Sequence, residues 1–68
     1  MLIITRRKPP AAWLALRPGE AKNCRRPLWE IEQWFDRLAR DGWEFDATPH
    51  PDGYTITCKR RPEGETAA

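Results

Sequence analysis

Residues 27–47 read PLWEIEQWFDRLARDGWEFDA, and the apolar spacing inside this stretch changes from a helical period to a strand period. At 100° per residue, Leu28, Ile31, Trp34, Phe35, Leu38 and Ala39 fall on one stripe, the mark of an amphipathic helix. Pro27 suits the first helical position, where its missing N–H has no partner to lose. Glu30 and Glu32 stand near the positive N-terminal end, and Arg37 and Arg40 near the negative C-terminal end. Asp36 and Arg40 have the favourable i,i+4 spacing. Gly42 then supplies a left-handed stop. Start, face and stop agree on a helix from about Pro27 to Asp41.

Beyond Gly42 the period is two. Trp43, Phe45 and Ala47 alternate with Glu44 and Asp46, and Tyr54, Ile56 and Cys58 alternate with Thr55, Thr57 and Lys59. Between them, Pro51-Asp52-Gly53 has the residues of a type I turn closed by a positive-φ glycine. This predicts a β-hairpin. Working back from the helix, residues 18–26 read as a connecting loop. Trp13-Leu14-Ala15-Leu16 is either a strand or a helical turn opened by Pro9-Pro10. A strand is favoured, because Arg17-Pro18-Gly19 closes it as a turn would. Leu2-Ile3-Ile4-Thr5 is β-branched and strand-like. The expected fold is therefore α+β, a single helix packed on a three- or four-stranded, mainly antiparallel sheet in β(β)αββ order. Residues 1–61 form the single domain expected, with 62–68 a frayed tail.

A chain of 68 residues has room for one core. Its four tryptophans, Trp13, Trp29, Trp34 and Trp43, are expected core anchors, since each aromatic ring can bury roughly 150–250 Å². Ile31, Trp34, Phe35, Leu38, Trp43, Phe45 and Ile56 should form one contact cluster. Trp29 lies opposite the apolar stripe, near Gln33, Asp36 and Arg40. Covering by the N-terminal segment is the expected arrangement, because a bare tryptophan is unusual on a monomer.

No stretch has the length and apolarity of a signal peptide or membrane span, and two cysteines without a C-x-x-C do not make a disulfide framework. A cytoplasmic protein without membrane contact is the expectation. Cys58 should point into the core. Cys24 lies beside Arg25 and Arg26, which could favour its thiolate form, and is expected to be a free surface thiol. The chain contains no serine, which excludes a Ser-His pair, and a Cys-His pair would need Cys24 or Cys58 beside His50. No metal-ligand spacing or phosphate-binding glycine loop occurs. Neither a cofactor nor a small-molecule substrate is expected, and the chain reads as a non-enzyme.

Residues 31–61 carry a resemblance. Leu38 followed by Gly42-Trp43-Glu44-Phe45, then a hairpin ending Ile56-Thr57-Cys58-Lys59-Arg60, resembles a group of small bacterial and phage domains of unknown function. Those domains share a helix ending L-x-x-x-G-W-E-L/F-V and a last strand ending in Lys-Arg. The resemblance implies a helix-plus-sheet fold and no activity. The proline-rich segment before the helix departs from that pattern. A second resemblance is to small toxin ribonucleases with a double-stranded-RNA-binding-like fold. Their catalytic histidine follows Gly-Ser at the hairpin start, whereas His50 here is flanked by prolines.

Charge is segregated. Residues 1–27 hold seven basic side chains against Glu20, and residues 28–54 hold seven acids against Arg37 and Arg40. Two binding surfaces follow. The first is the acidic helix face, with Trp29, Glu30, Glu32, Asp36, Arg40 and Asp41 as contacts for a larger bacterial protein or complex, in the manner of a phage-type inhibitor such as an anti-CRISPR protein. The second, for nucleic acid, is a basic sheet edge. It requires the first and last strands to be parallel neighbours, gathering Arg6, Arg7 and Lys8 with Lys59, Arg60 and Arg61, to which Arg25 and Arg26 could add.

Overall fold

The computed structural model describes residues 4–63. Five elements follow in order: α1 (Ala11–Leu14), β1 (Ala21–Cys24), α2 (Leu28–Arg40), β2 (Glu44–His50) and β3 (Gly53–Arg60). The strands form one antiparallel sheet in the order β1-β3-β2, so the fold is α+β with one principal helix on a three-stranded sheet.

The helix and hairpin stand where the periodicity places them. Pro27 is the N-cap of α2, one position earlier than expected, with extended ψ of 151°. Its carbonyl accepts from the N–H groups of Glu30 and Ile31 at 3.1 Å. Asp41 is the C-cap, and Gly42 takes φ +102°. Pro51 and Asp52 form the two-residue turn between β2 and β3, with His50 opposite Gly53.

The N-terminal half departs from expectation. Trp13-Leu14 belongs to the short helix α1, not to a strand. Pro10 opens α1 with its carbonyl accepting from Trp13 N–H, and a following bond from Leu16 to Trp13 continues the coil. The edge strand β1 comes instead from the segment expected to be a loop. Ala-Lys-Asn-Cys has little β propensity, and pairing with β3 recruits it: Ala21 faces Thr57, Lys22 faces Ile56 and Cys24 faces Tyr54. Ile4 and Thr5 are not in the sheet at all. Leu2, Ile3 and the tail from residue 64 lie outside the described residues. Pro62 does not stand apart from the domain, since a Cβ placed on Gly42 would lie 3.2 Å from the Pro62 Cα.

The core lies between α2 and the inner sheet face. Ile31, Trp34, Leu38, Trp43, Ile56 and Cys58 are buried, with Phe35, Phe45, Ala47 and Tyr54 packed against them. The expected seven-residue cluster is present. It is completed by Trp13, whose ring meets Trp34 edge-on at 5.3 Å and Phe35 and Phe45 at 5.6 and 5.8 Å. Cys24 is also buried, so it is a core thiol and not the surface thiol expected. Leu28 and Ala39, at the margin of the stripe, are exposed.

Candidate functional site

The residues on the outward side of α2 are Leu28, Trp29, Glu32, Asp36 and Arg40, with Gln33 at the flank. Trp29 is 41% exposed and is not covered as expected. The N-terminal segment does reach α2, but on the neighbouring flank. Thr5 N–H donates to Gln33 Oε1 at 2.7 Å, and the Thr5 hydroxyl donates to Glu30 Oε2 at 2.6 Å. Arg37 donates to the carbonyls of Thr5 and Arg7, and Trp34 Nε1 donates to the Arg7 carbonyl at 3.0 Å. These bonds lay residues 4–8 along the helix and leave Ile4 70% exposed. Ile4, Gln33, Asp36, Arg37 and Arg40 line a shallow hollow of about 560 Å³.

Glu30 therefore cannot serve as a contact in the acidic face. Only 2% of it is exposed, and its carboxylate is held by Thr5 and by the guanidinium of Arg26. A sequence reading puts any glutamate in the first helical turn on the surface; here the chain beyond the helix covers it. Arg26 first, and the Thr5 hydroxyl second, hold the Glu30 carboxyl below the ordinary glutamate range. The sign follows directly. A carboxyl with a depressed folded pKa adds stability that is complete above its unfolded value, about 4.3, and is lost as pH falls through the folded value. Glu30→Gln is thus expected to lower the urea midpoint at neutral pH, with the gap to the parent closing as pH falls below the ordinary glutamate range. A gap that is constant across this range would remove the ionic role of Glu30.

The contact set that remains is Trp29, Glu32, Asp36, Arg40 and Asp41. Asp41 caps the far end of α2, roughly 18 Å along the axis from Trp29 at 1.5 Å per residue. The sequence did not point to Ile4 as a member of this face. Its only signal was an apolar residue beside Thr5, which reads as strand.

The basic clusters do not assemble into one sheet edge. The condition for it fails, because Ile4 and Thr5, the described part of the expected first strand, belong to no strand beside β3. Arg6, Arg7 and Lys8 follow the flank of α2. Arg25 lies beside Gly53, while Lys59 and Arg60 end the same strand about 23 Å away at 3.3 Å per residue. Several of these cations are also engaged. Arg26 pairs with Glu30, and Arg60 with Glu44 at 3.7 Å. Arg61 donates to the carbonyls of Leu14 and Leu16, pairs with Glu63 and lies 4.7 Å over the Trp43 ring.

Nor does the sheet bring the thiol of Cys24 to the imidazole. Cys24 faces Tyr54 on the core side, whereas His50 faces Gly53 on the opposite side. His50 Nδ1 accepts the Asp52 N–H at 3.1 Å, as a turn residue does. Among the described residues, no group of three His, Cys, Asp or Glu side chains is placed to hold a metal ion. No helix among them is long and apolar enough to cross a membrane. Compared with protein-family models, curated proteins and solved structures, the chain matches none.

Proposed function

We propose that the chain is a non-enzymatic protein-binding module that docks through the outward face of α2 onto a basic groove of a larger protein. The observation that carries this reading is the half-bare Trp29 among Glu32, Asp36 and Arg40. A tryptophan left in water forgoes about 25 cal/mol for each Å² that a partner could cover. Tryptophan and arginine are also the residues most enriched where binding energy concentrates. The three acids Glu32, Asp36 and Asp41 would speed encounter with a basic surface, and Trp29 would hold the complex once formed. A bacterial complex that handles nucleic acid offers such a groove, and a phage-type inhibitor occupying it in place of phosphate is the concrete form of this reading.

The test is capture from bacterial lysate with and without nuclease, comparing parent, Trp29→Ala and Glu32→Lys/Asp36→Lys. Both variants change exposed positions and should keep the parental circular dichroism. Trp29→Ala is expected to weaken capture at least 30-fold, the effect of an interface residue worth about 2 kcal/mol. The charge reversal should slow association and flatten its salt dependence. Capture that survives both variants but disappears with nuclease would transfer the function to nucleic acid and to Arg6, Arg7, Lys8 and Arg25. RNA cleavage lost in His50→Ala would transfer it to ribonuclease chemistry.

A further inference from the structure

The two edges of the sheet differ. On β3, the backbone groups of Cys58 bond toward Glu20 and Gly19, at 2.9 and 2.8 Å. Antiparallel ladders alternate, so Lys22 and Cys24 also bond inward, and the N–H and C=O of Ala21 and Asn23 point away from the sheet. By the same alternation the outward groups of β2 belong to Phe45, Ala47 and Pro49. Pro49 has no N–H to offer, and its place on the strand blunts that edge. Among the described residues, no strand pairs with the outer edge of β1. Beside it, Ala12, Ala15 and Leu16 of the α1 segment form the apolar part of a groove of about 390 Å³, whose rim is Glu20 and Lys22.

We infer that β1 is the seam of a weak homodimer, in which two copies pair β1 with β1 antiparallel about a twofold axis through Ala21. This goes beyond the docking face of α2 and uses a different surface. The register follows from charge. Glu20 and Lys22 are two residues apart and so share one side of the strand. Centring the pair on Glu20 sets two carboxylates face to face, and centring it on Lys22 sets two ammonium groups face to face. Centring on Asn23 places Lys22 opposite Cys24, without an acid. Only the Ala21 register puts Glu20 of each copy opposite Lys22 of the other, twice by symmetry. One Glu20 oxygen accepts the Arg17 N–H at 2.7 Å, and the other remains for the lysine.

In this register the two Ala21 residues exchange N–H···O bonds, and Asn23 stands opposite Gly19 of the second copy. A lysine on a sheet edge ordinarily deters pairing; here one register gives it an acid to pair with. The twofold axis is perpendicular to the sheet, so both α1 segments lie on the same side of a six-stranded sheet and the two apolar grooves meet over the seam. Four-residue strands bury less than the ~800 Å² per partner of a standard interface, which sets the dissociation constant at roughly 0.1–1 mM.

Sedimentation equilibrium of the full chain at low salt, from about 10 μM to about 1 mM, tests this. The apparent mass is expected to rise from monomer toward dimer. Lys22→Glu, at an exposed position, should weaken association at least tenfold, and the exchange Glu20→Lys/Lys22→Glu should restore it. Ala21→Pro removes an outward N–H and should abolish association without disturbing the bonds to β3, while Asp46→Lys on β2 should leave it unchanged. A monomer throughout the range overturns the proposal, as does a dimer that Lys22→Glu leaves intact. A dimer broken by Trp29→Ala in place of Lys22→Glu would assign self-association to the helix face and also overturn it.

Discussion

Gly53→Ala is expected to leave the chain largely unfolded at room temperature. Gly53 opens β3 with φ +140°, a conformation that side chains rarely adopt. A Cβ there would lie 2.3 Å from the Cys24 carbonyl oxygen and 3.0 Å from the Arg25 Cα. Both neighbours are backbone, so no side chain can swing aside. The methyl group must push the end of β1 off β3, and Cys24 would leave the core with it. Backbone strain alone costs about 1–2 kcal/mol. With β1 displaced, the loss should reach about 4 kcal/mol or more. A chain of 68 residues has only ~3–10 kcal/mol in total. Gly19→Ala separates strain from collision, because Gly19 has φ +91° and nothing within 4 Å of a new Cβ. It should lower the urea midpoint modestly and keep the native dichroism. Equal losses for the two variants would mean that strain, not the contact with β1, accounts for the damage.

The glycine shows why half of the fold was legible and half was not. The helix and hairpin have local causes: the stripe from Ile31 to Leu38, the stop at Gly42, the alternation after it and the turn at Pro51-Asp52. Each is written within a few residues of where it acts. β1 has no such cause. Ala21, Lys22 and Asn23 are exposed and carry no alternation, and the strand exists because β3 offers an unpaired edge. Trp13-Leu14-Ala15-Leu16 had the composition of a strand, yet the proline before it and a core that needed one large ring made a helical turn. Conflicts of this kind between local pattern and tertiary contact are resolved by the contact.

The candidate site divides the same way. The helix wheel places Trp29, Glu32, Asp36 and Arg40 together on an outward face, and that geometry belongs to α2 alone. Glu30 and Cys24 were misplaced because the covering of each comes from residues far along the chain: Thr5 is 25 positions from Glu30, and Tyr54 is the register partner of Cys24. The basic edge failed for a topological reason. Joining Arg6 to Arg60 required two strands to be neighbours, and pairing between distant segments is the least local property a sequence encodes.

Trp13→Ala should be the most damaging truncation in the core, although Trp13 sits on the shortest helix. Trp13 is 2% exposed, and its ring lies where α2 meets β2. It meets Trp34 and Phe35 on α2 and Phe45 on β2, all within 5.8 Å between centroids. Phe45 in turn stacks on Phe35 and Trp43. Removing Trp13 therefore opens the middle of a five-ring cluster, and its lining cannot close the gap without moving α2 against the sheet. Helix α1 itself, Ala11–Leu14, would also lose its one buried side chain. A Trp→Ala change in a core typically costs about 3–5 kcal/mol, comparable to the whole stability of a domain this size. Near-ultraviolet dichroism should collapse, and urea unfolding should lose its cooperative step. Trp13→Phe keeps one ring in the cluster and should retain a cooperative transition at a lower midpoint. The ordering of parent, Phe and Ala is what the cluster requires. A Trp13→Ala protein that melts within a few degrees of the parent would show that α1 is an appendage, and that α2 and the hairpin alone make the core.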